Sequence, residues 1–256
     1  MIACLTTALQ LVLLNNQIST RTSVQVDNAT VAKKLNPYAE NAFKRLVEGN
    51  ARFAEGLNEH VRQNPEARKV AASGQAPHTI VVTCADSRVS PEILFDQGLG
   101  DLFVIRVAGN VVDQFGIASI EYAAEHLNSP LLVVLGHERC GAVKAAVETY
   151  QAKLESHNES TGDHGSDLAN INALIEEILP SVMEAARKPG DLLANAVDIN
   201  VENSINQAMG RSAILRKRAE ESKFDVIGAT YDLDTGRVAF TAPKDIRSFV
   251  RLVDKK

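Results

Sequence analysis

Two short clusters hold the residues of this chain whose types and spacing suit joint chemistry. Cys84-Ala-Asp86-Ser-Arg88 follows one apolar run, and His137-Glu-Arg-Cys140-Gly141 follows another. Two thiolates and one imidazole make a three-ligand zinc set, and three protein ligands with a fourth position open is the pattern of catalytic rather than structural zinc. Each cluster alone says little. His-x-x-Cys arises by chance in many chains, and a lone cysteine at the end of a strand is ordinarily a small buried hydrophobe. Together they say more, because the chain has only 3 cysteines, Cys4, Cys84 and Cys140, and two of them stand at strand ends. Three cannot all pair, and a chain of 256 residues needs no disulfide staple. Asp86 is close enough in sequence to Cys84 to reach either a metal or a water on it. Arg88, at the next alternate position, can hold Asp86 in a bidentate pair. The plainer alternative for these two is a surface ion pair worth little.

Such clusters must be placed by a scaffold, and the hydrophobic pattern supplies one. Short apolar, β-branched runs over residues 79–84, 102–107, 131–135 and 224–229 predict buried strands. Helical stretches are expected over 116–127, 142–154, 167–187 and 191–222. Strands alternating with helices mean βαβ units and a mostly parallel sheet, covered on both faces, hence the continuous apolar runs. In such sheets, sites lie beyond the carboxyl ends of the strands, and both clusters sit at that edge. If the 79–84 and 131–135 strands are neighbours, Cys84, His137 and Cys140 converge. Asp232 to Gly236 predicts a hairpin turn into a final antiparallel edge strand over 237–241. Upstream, Asn36 and Pro37 open a helix whose Tyr38, Ala42, Leu46, Val47 and Phe53 recur at helical spacing. Residues 57–77 read as a loop with a short helix, and residues 15–35 as a polar linker or arm.

Composition excludes several classes. Lys plus Arg total 27 against 32 Asp plus Glu, a net charge of −5, which argues against a nucleic-acid binder. With no Trp, 4 Tyr and 8 Phe, an aromatic platform for single strands is unexpected too. The sequence holds neither G-x-G-x-x-G nor a P-loop, which argues against nucleotide chemistry. The polar run 155–167 carries His157 and His164 among acidic residues and reads as a solvated loop, with a second metal site as its sharper alternative. Residues 2–14 are mostly apolar but shorter than a membrane span. Their length suits the core of a secretory signal, although no Lys or Arg precedes them. The protein is therefore expected to be exported if residues 1–20 act as a signal, and cytoplasmic otherwise.

The motif Cys84-x-Asp86-x-Arg88, followed by His137-x-x-Cys140-Gly141, resembles that of the β-class carbonic anhydrases, most closely the bacterial ones. The resemblance runs colinearly from residue 38 to 241 and includes EGNARF (48–53), FDQGLGD (95–101), RVAGN (106–110) and IEY (120–122). It implies a mostly parallel α/β fold with an N-terminal helical arm packing on a partner subunit. It divides the chain into an N-terminal segment, 1–35, and a catalytic domain, 36–256. It implies one zinc ion per subunit on Cys84, His137 and Cys140, with Asp86 and Arg88 as the catalytic pair. In a closed state known in the family, the aspartate itself takes the fourth metal position. Gln75, Phe103, Tyr122 and Gly141 fall on the family's substrate-binding positions, in a cleft formed between two subunits.

The implied activity is the reversible hydration of CO2 to bicarbonate and a proton by zinc-bound hydroxide, in a homodimer or dimer of dimers without a membrane span or nucleic acid. Two departures stand out: no Trp is present to build the regulatory bicarbonate site of some members, and Ala108 occupies a position that is Val in some relatives. The same fold and metal also serve carbonyl sulfide and carbon disulfide hydrolysis, and a non-catalytic zinc scaffold is the reading from another class.

Overall fold

The computed structural model describes residues 27–156 and 169–243. The expectations for residues 1–26 and for most of the 155–167 run lie outside them. A five-stranded sheet runs in the order β2-β1-β3-β4-β5. Its strands are β1 (Thr79–Thr83), β2 (Leu102–Arg106), β3 (Leu131–His137), β4 (Asp225–Tyr231) and β5 (Val238–Phe240). The first four are mutually parallel, and β5 returns antiparallel at the edge, through the expected hairpin.

From β1 the chain moves outward to β2, then crosses back to lay β3 on the other side of β1. The strand order reverses between β1 and β3, and that reversal opens a crevice beyond their carboxyl ends. Cys84 follows β1 directly. His137 is the last residue of β3, paired with Tyr231, so the strand runs two residues past the apolar run that announced it.

Alternate side chains of each strand face opposite layers. Val81, Leu131, Val133, Leu135, Ile227 and Ala229 join the core beneath α2 (Pro37–Ala54), with Phe43 and Leu46 from that helix. Ile80, Val82, Leu132 and Val134 face α5 (Gln114–His126), α8 (Leu192–Arg211) and α9 (Ala213–Glu220). A third cluster joins α6 (Gly141–Ser156), α7 (Ala169–Ala185) and the first half of α8, and it includes Cys84 and Cys140. Two short helices, α3 (Pro65–Ala71) and α4 (Pro91–Leu94), complete the described chain.

Three elements differ from the sequence reading. Residues 28–32 form a helix, α1, rather than part of a linker. Asp27 caps it through the Ala29 N–H, and Val31 and Leu35, one turn apart, bury themselves in the core under α2. The single helix expected over 191–222 is two. Ser212 takes extended backbone between them, with φ −110° and ψ 110°, and its hydroxyl accepts the Leu215 N–H to cap α9 while donating to Glu121 at 2.5 Å. Residues 91–94, given no element in the sequence reading, form α4, with Pro91 in its first turn. Among the described residues, no helix is long and apolar enough to cross a membrane.

Candidate metal centre

Because β1 and β3 are neighbours, the two clusters meet. The ligand atoms of Cys84, His137 and Cys140 lie within 4.8 Å of one another, and all three residues are buried. The two sulfurs are 3.9 Å apart. A tetrahedral zinc at about 2.3 Å from each sulfur would set them about 3.8 Å apart. His137 Nδ1 lies 2.8 Å from the Glu138 carbonyl oxygen, to which it donates, leaving the lone pair on Nε2. That Nε2 is buried with no hydrogen-bond partner. A buried acceptor facing two thiols is costly unless something binds there, so the donor set fits a soft or borderline cation such as zinc.

Local charge prepares the sulfurs. The neighbouring Cys140 thiol, then the Asp86 and Gly109 N–H groups, hold Cys84 well below the ordinary thiol range against the opposing effect of burial. Cys140 directly precedes α6, whose opening N–H groups favour charge on its sulfur. Helix N-termini of this kind favour a thiolate. The Cys84 sulfur beside it, and then burial, push the Cys140 thiol up.

Asp86 lies beside this set rather than in it. Its Oδ2 is 3.8 Å from His137 Nε2, but Asp86 is not among the residues whose ligand atoms all lie within 4.8 Å of one another. Arg88 takes both carboxylate oxygens, Nε to Oδ1 at 2.9 Å and Nη2 to Oδ2 at 2.7 Å, and the Arg88 N–H adds a third bond at 2.9 Å. These bonds hold Asp86 far below the usual carboxylate range. The bidentate pairing expected from the spacing is present, and the fourth-ligand geometry of the closed state is not.

Two further residues tie the loops together. Arg106, aligned with Thr83 in the β1–β2 register, donates to the Cys84 and Asp86 carbonyls at 3.2 and 2.6 Å. Arg139 forms a bidentate pair with Asp234 of the hairpin, both contacts 2.8 Å, while its carbonyl accepts from Arg88 Nη2 at 3.3 Å. The sequence reading gave neither a role, since the strand adjacency that brings Arg106 to the loops appears only in the fold.

The remaining expected residues divide. Gly141 opens α6 beside Cys140. Gln75 is exposed and precedes β1, whereas Cys84 follows it, so a strand about 17 Å long separates them. Phe103 and Tyr122 are together, ring centroids 6.2 Å apart, but Phe103 pairs with Ile80, four residues upstream of Cys84. One chain therefore does not gather these three at its own metal centre.

The family model that matches residues 79–238 is that of carbonic anhydrase. Carbonic anhydrase 2 of Mycobacterium tuberculosis is 41% identical over 202 residues, 79% of this chain and 91% of that protein. The carbonic anhydrase of Mycolicibacterium smegmatis is 39% identical over 204 residues, 79% and 92% respectively. Among solved structures, a Coccomyxa β-carbonic anhydrase in complex with acetazolamide superposes with a TM-score of 0.57 at 26% identity, covering 82% of this chain and 97% of that one. A parallel sheet with the Cys84–His137–Cys140 set at its switch point, matched by these relatives over most of their length, places this chain in the β-carbonic anhydrase family.

Proposed function

We propose that this protein catalyses the reversible hydration of CO2 to bicarbonate and a proton, with one zinc ion per chain on Cys84, His137 and Cys140. The observation that carries this is the buried, unpartnered His137 Nε2 facing two sulfurs 3.9 Å apart. A zinc ion in such a site would supply hydroxide by lowering the pKa of a bound water, less far than the value of about 7 on a three-histidine zinc, because two thiolates offset its charge. Asp86, kept ionised by Arg88, accepts a hydrogen bond from the attacking water and orients its lone pair toward the CO2 carbon. Arg88 holds that carboxylate back from the metal position. Arg106 and Arg139 fix the two loops, so the pair keeps its distance from His137.

Gln75, Phe103 and Tyr122 then serve the centre of a second copy, in a cleft between chains. What supports this is their position at the far end of β1 and on β2 and α5 of their own chain, with Tyr122 about half-exposed. A homodimer or dimer of dimers is the assembly this reading expects, and light scattering on the purified protein tests it.

Stopped-flow CO2 hydration at pH 7 and near pH 8.5, with zinc content determined, tests the activity beside Cys84→Ala. Turnover that disappears together with zinc in the variant is the expected result. One zinc per chain without turnover at either pH refutes it, and assays on carbonyl sulfide and carbon disulfide then separate a hydrolase from a scaffold.

A further inference from the structure

The α8 helix buries a group of polar side chains that neither bind the metal nor face solvent. Asn200 and Ser204 on α8 and Ser181 on α7 are all buried. Such residues are expensive in a core unless each is hydrogen-bonded. Here they converge on one turn. Gly109 and Asn110 both have left-handed backbone, φ 67° and 47°. The Asn200 amide donates to the Gly109 carbonyl at 2.6 Å, and the Ser204 hydroxyl donates to the Asn110 carbonyl at 2.9 Å. Ser181 in turn donates to Asn200 Oδ1 at 3.1 Å, which fixes the amide's orientation. A side chain is excluded from the turn as well, since a Cβ on Gly109 would stand 2.7 Å from Ile178 Cδ1. The product is one N–H aimed at a ligand: the Gly109 amide donates to Cys84 Sγ at 3.2 Å.

We propose that Asn200 is a positioning residue for the metal centre, holding the 109–110 turn so that the Gly109 N–H stays on the Cys84 sulfur. The inference rests on the metal reading above. A hydrogen bond to a thiolate draws charge from the sulfur, so its loss leaves a more electron-rich ligand on a less rigid turn. Groups that orient metal ligands in this way change metal affinity by about 10- to 100-fold when removed.

The test is the Asn200→Leu variant in the full chain, reconstituted with Co2+ for spectroscopy and with Zn2+ for chelator competition. Ser212→Ala is the control, because it removes two hydrogen bonds from the α8–α9 junction without touching the turn. The expected result for Asn200→Leu is a sulfur-to-cobalt charge-transfer band shifted to longer wavelength and zinc held about 10- to 100-fold more weakly. Ser212→Ala should lower Tm and move neither reading. Asn200→Ser, which leaves room for a water on the Gly109 carbonyl, decides the matter in the same way if the leucine variant does not fold. An unchanged band and affinity in the folded variant overturns the proposal, as does an equal change in Ser212→Ala. A wild-type protein that shows no cobalt–thiolate band refutes the metal reading itself, and the two failures are told apart by that control.

Discussion

Gly136→Ala tests how α8 is seated over the ligand strand. Gly136 precedes His137 in β3, and a Cβ built there would stand 2.6 Å from Val201 Cγ2. Carbon atoms pack at about 3.5–4.0 Å, so helix and strand must part by about 1 Å or Val201 must leave its rotamer. The valine has little freedom to do so. It is buried and branched at Cβ, and its other methyl fills the space over Gly228, where a Cβ would meet it at 2.8 Å. One side chain is thus lodged across two glycines on neighbouring strands.

Overpacking of this kind costs about 1–3 kcal/mol. For a chain of this size, each kcal/mol lowers Tm by about 2–4 °C. The strain lands one residue from the His137 ligand, and a misplacement of about 1 Å can lower turnover about 100-fold. Val201→Ala removes both methyl groups and reopens the space. The double variant should therefore be more stable than the two single losses predict, with a coupling of about 0.5–3 kcal/mol. Calorimetry gives the stabilities and stopped-flow CO2 hydration the turnover. A Gly136→Ala protein as stable as the parent, or strictly additive losses, would refute the reasoning.

Three further outcomes are expected. Arg88→Ala should keep its zinc yet lose about 10- to 100-fold in kcat/KM, and unchanged turnover would show that Arg88 does not govern Asp86. Removing the metal by chelation should lower Tm, because a ligand bound only by the native state contributes about 4 kcal/mol at a thousandfold excess over Kd; an unchanged melting curve would count against the site. His78 should make the fold acid-sensitive. Burial lowers its pKa from the ordinary 6.5, and its ring bonds Gln97 at 3.0 Å and Thr79 at 2.8 Å. The native state then binds fewer protons than the unfolded chain, so the contribution is complete above pH 6.5 and is lost as pH falls toward the lowered value. Urea midpoints at pH 7.5 and 5.5 should converge in His78→Asn, and an unaltered difference would assign the effect to another group.

What could be read from the sequence was whatever local chemistry decides. The run from Thr79 to Cys84 has no other good home than a buried strand, and Asn36-Pro37 starts a helix in almost any context. The ligand set was visible because cysteines are so few. The sheet order was not, since whether β3 returns beside β1 depends on how the crossovers pack, and the convergence of Cys84 with His137 waited on it. The break at Ser212 was hidden for a related reason: serine tolerates a helix, and only its bonds to Glu121 and Leu215 make it a cap. Val31 and Leu35 sit in so polar a stretch that two apolar residues gave no periodicity to detect. Arg106 and Asn200 act on backbone carbonyls, contacts that leave no pattern along the chain.

The reversal between β1 and β3 also bears on the order of folding. Thr83 and Leu135, the register partners that bring the two ligand loops together, are separated by 52 residues in the chain. Pairing across such a span is slow, because a long loop must close before any contact rewards it. Neither loop holds the complete donor set, so on the zinc reading the full site forms only once the two strands have paired. On the zinc reading, a chain in which β1 and β3 have not met would lack the completed donor set, and a bound ion would report that the centre of the sheet is finished.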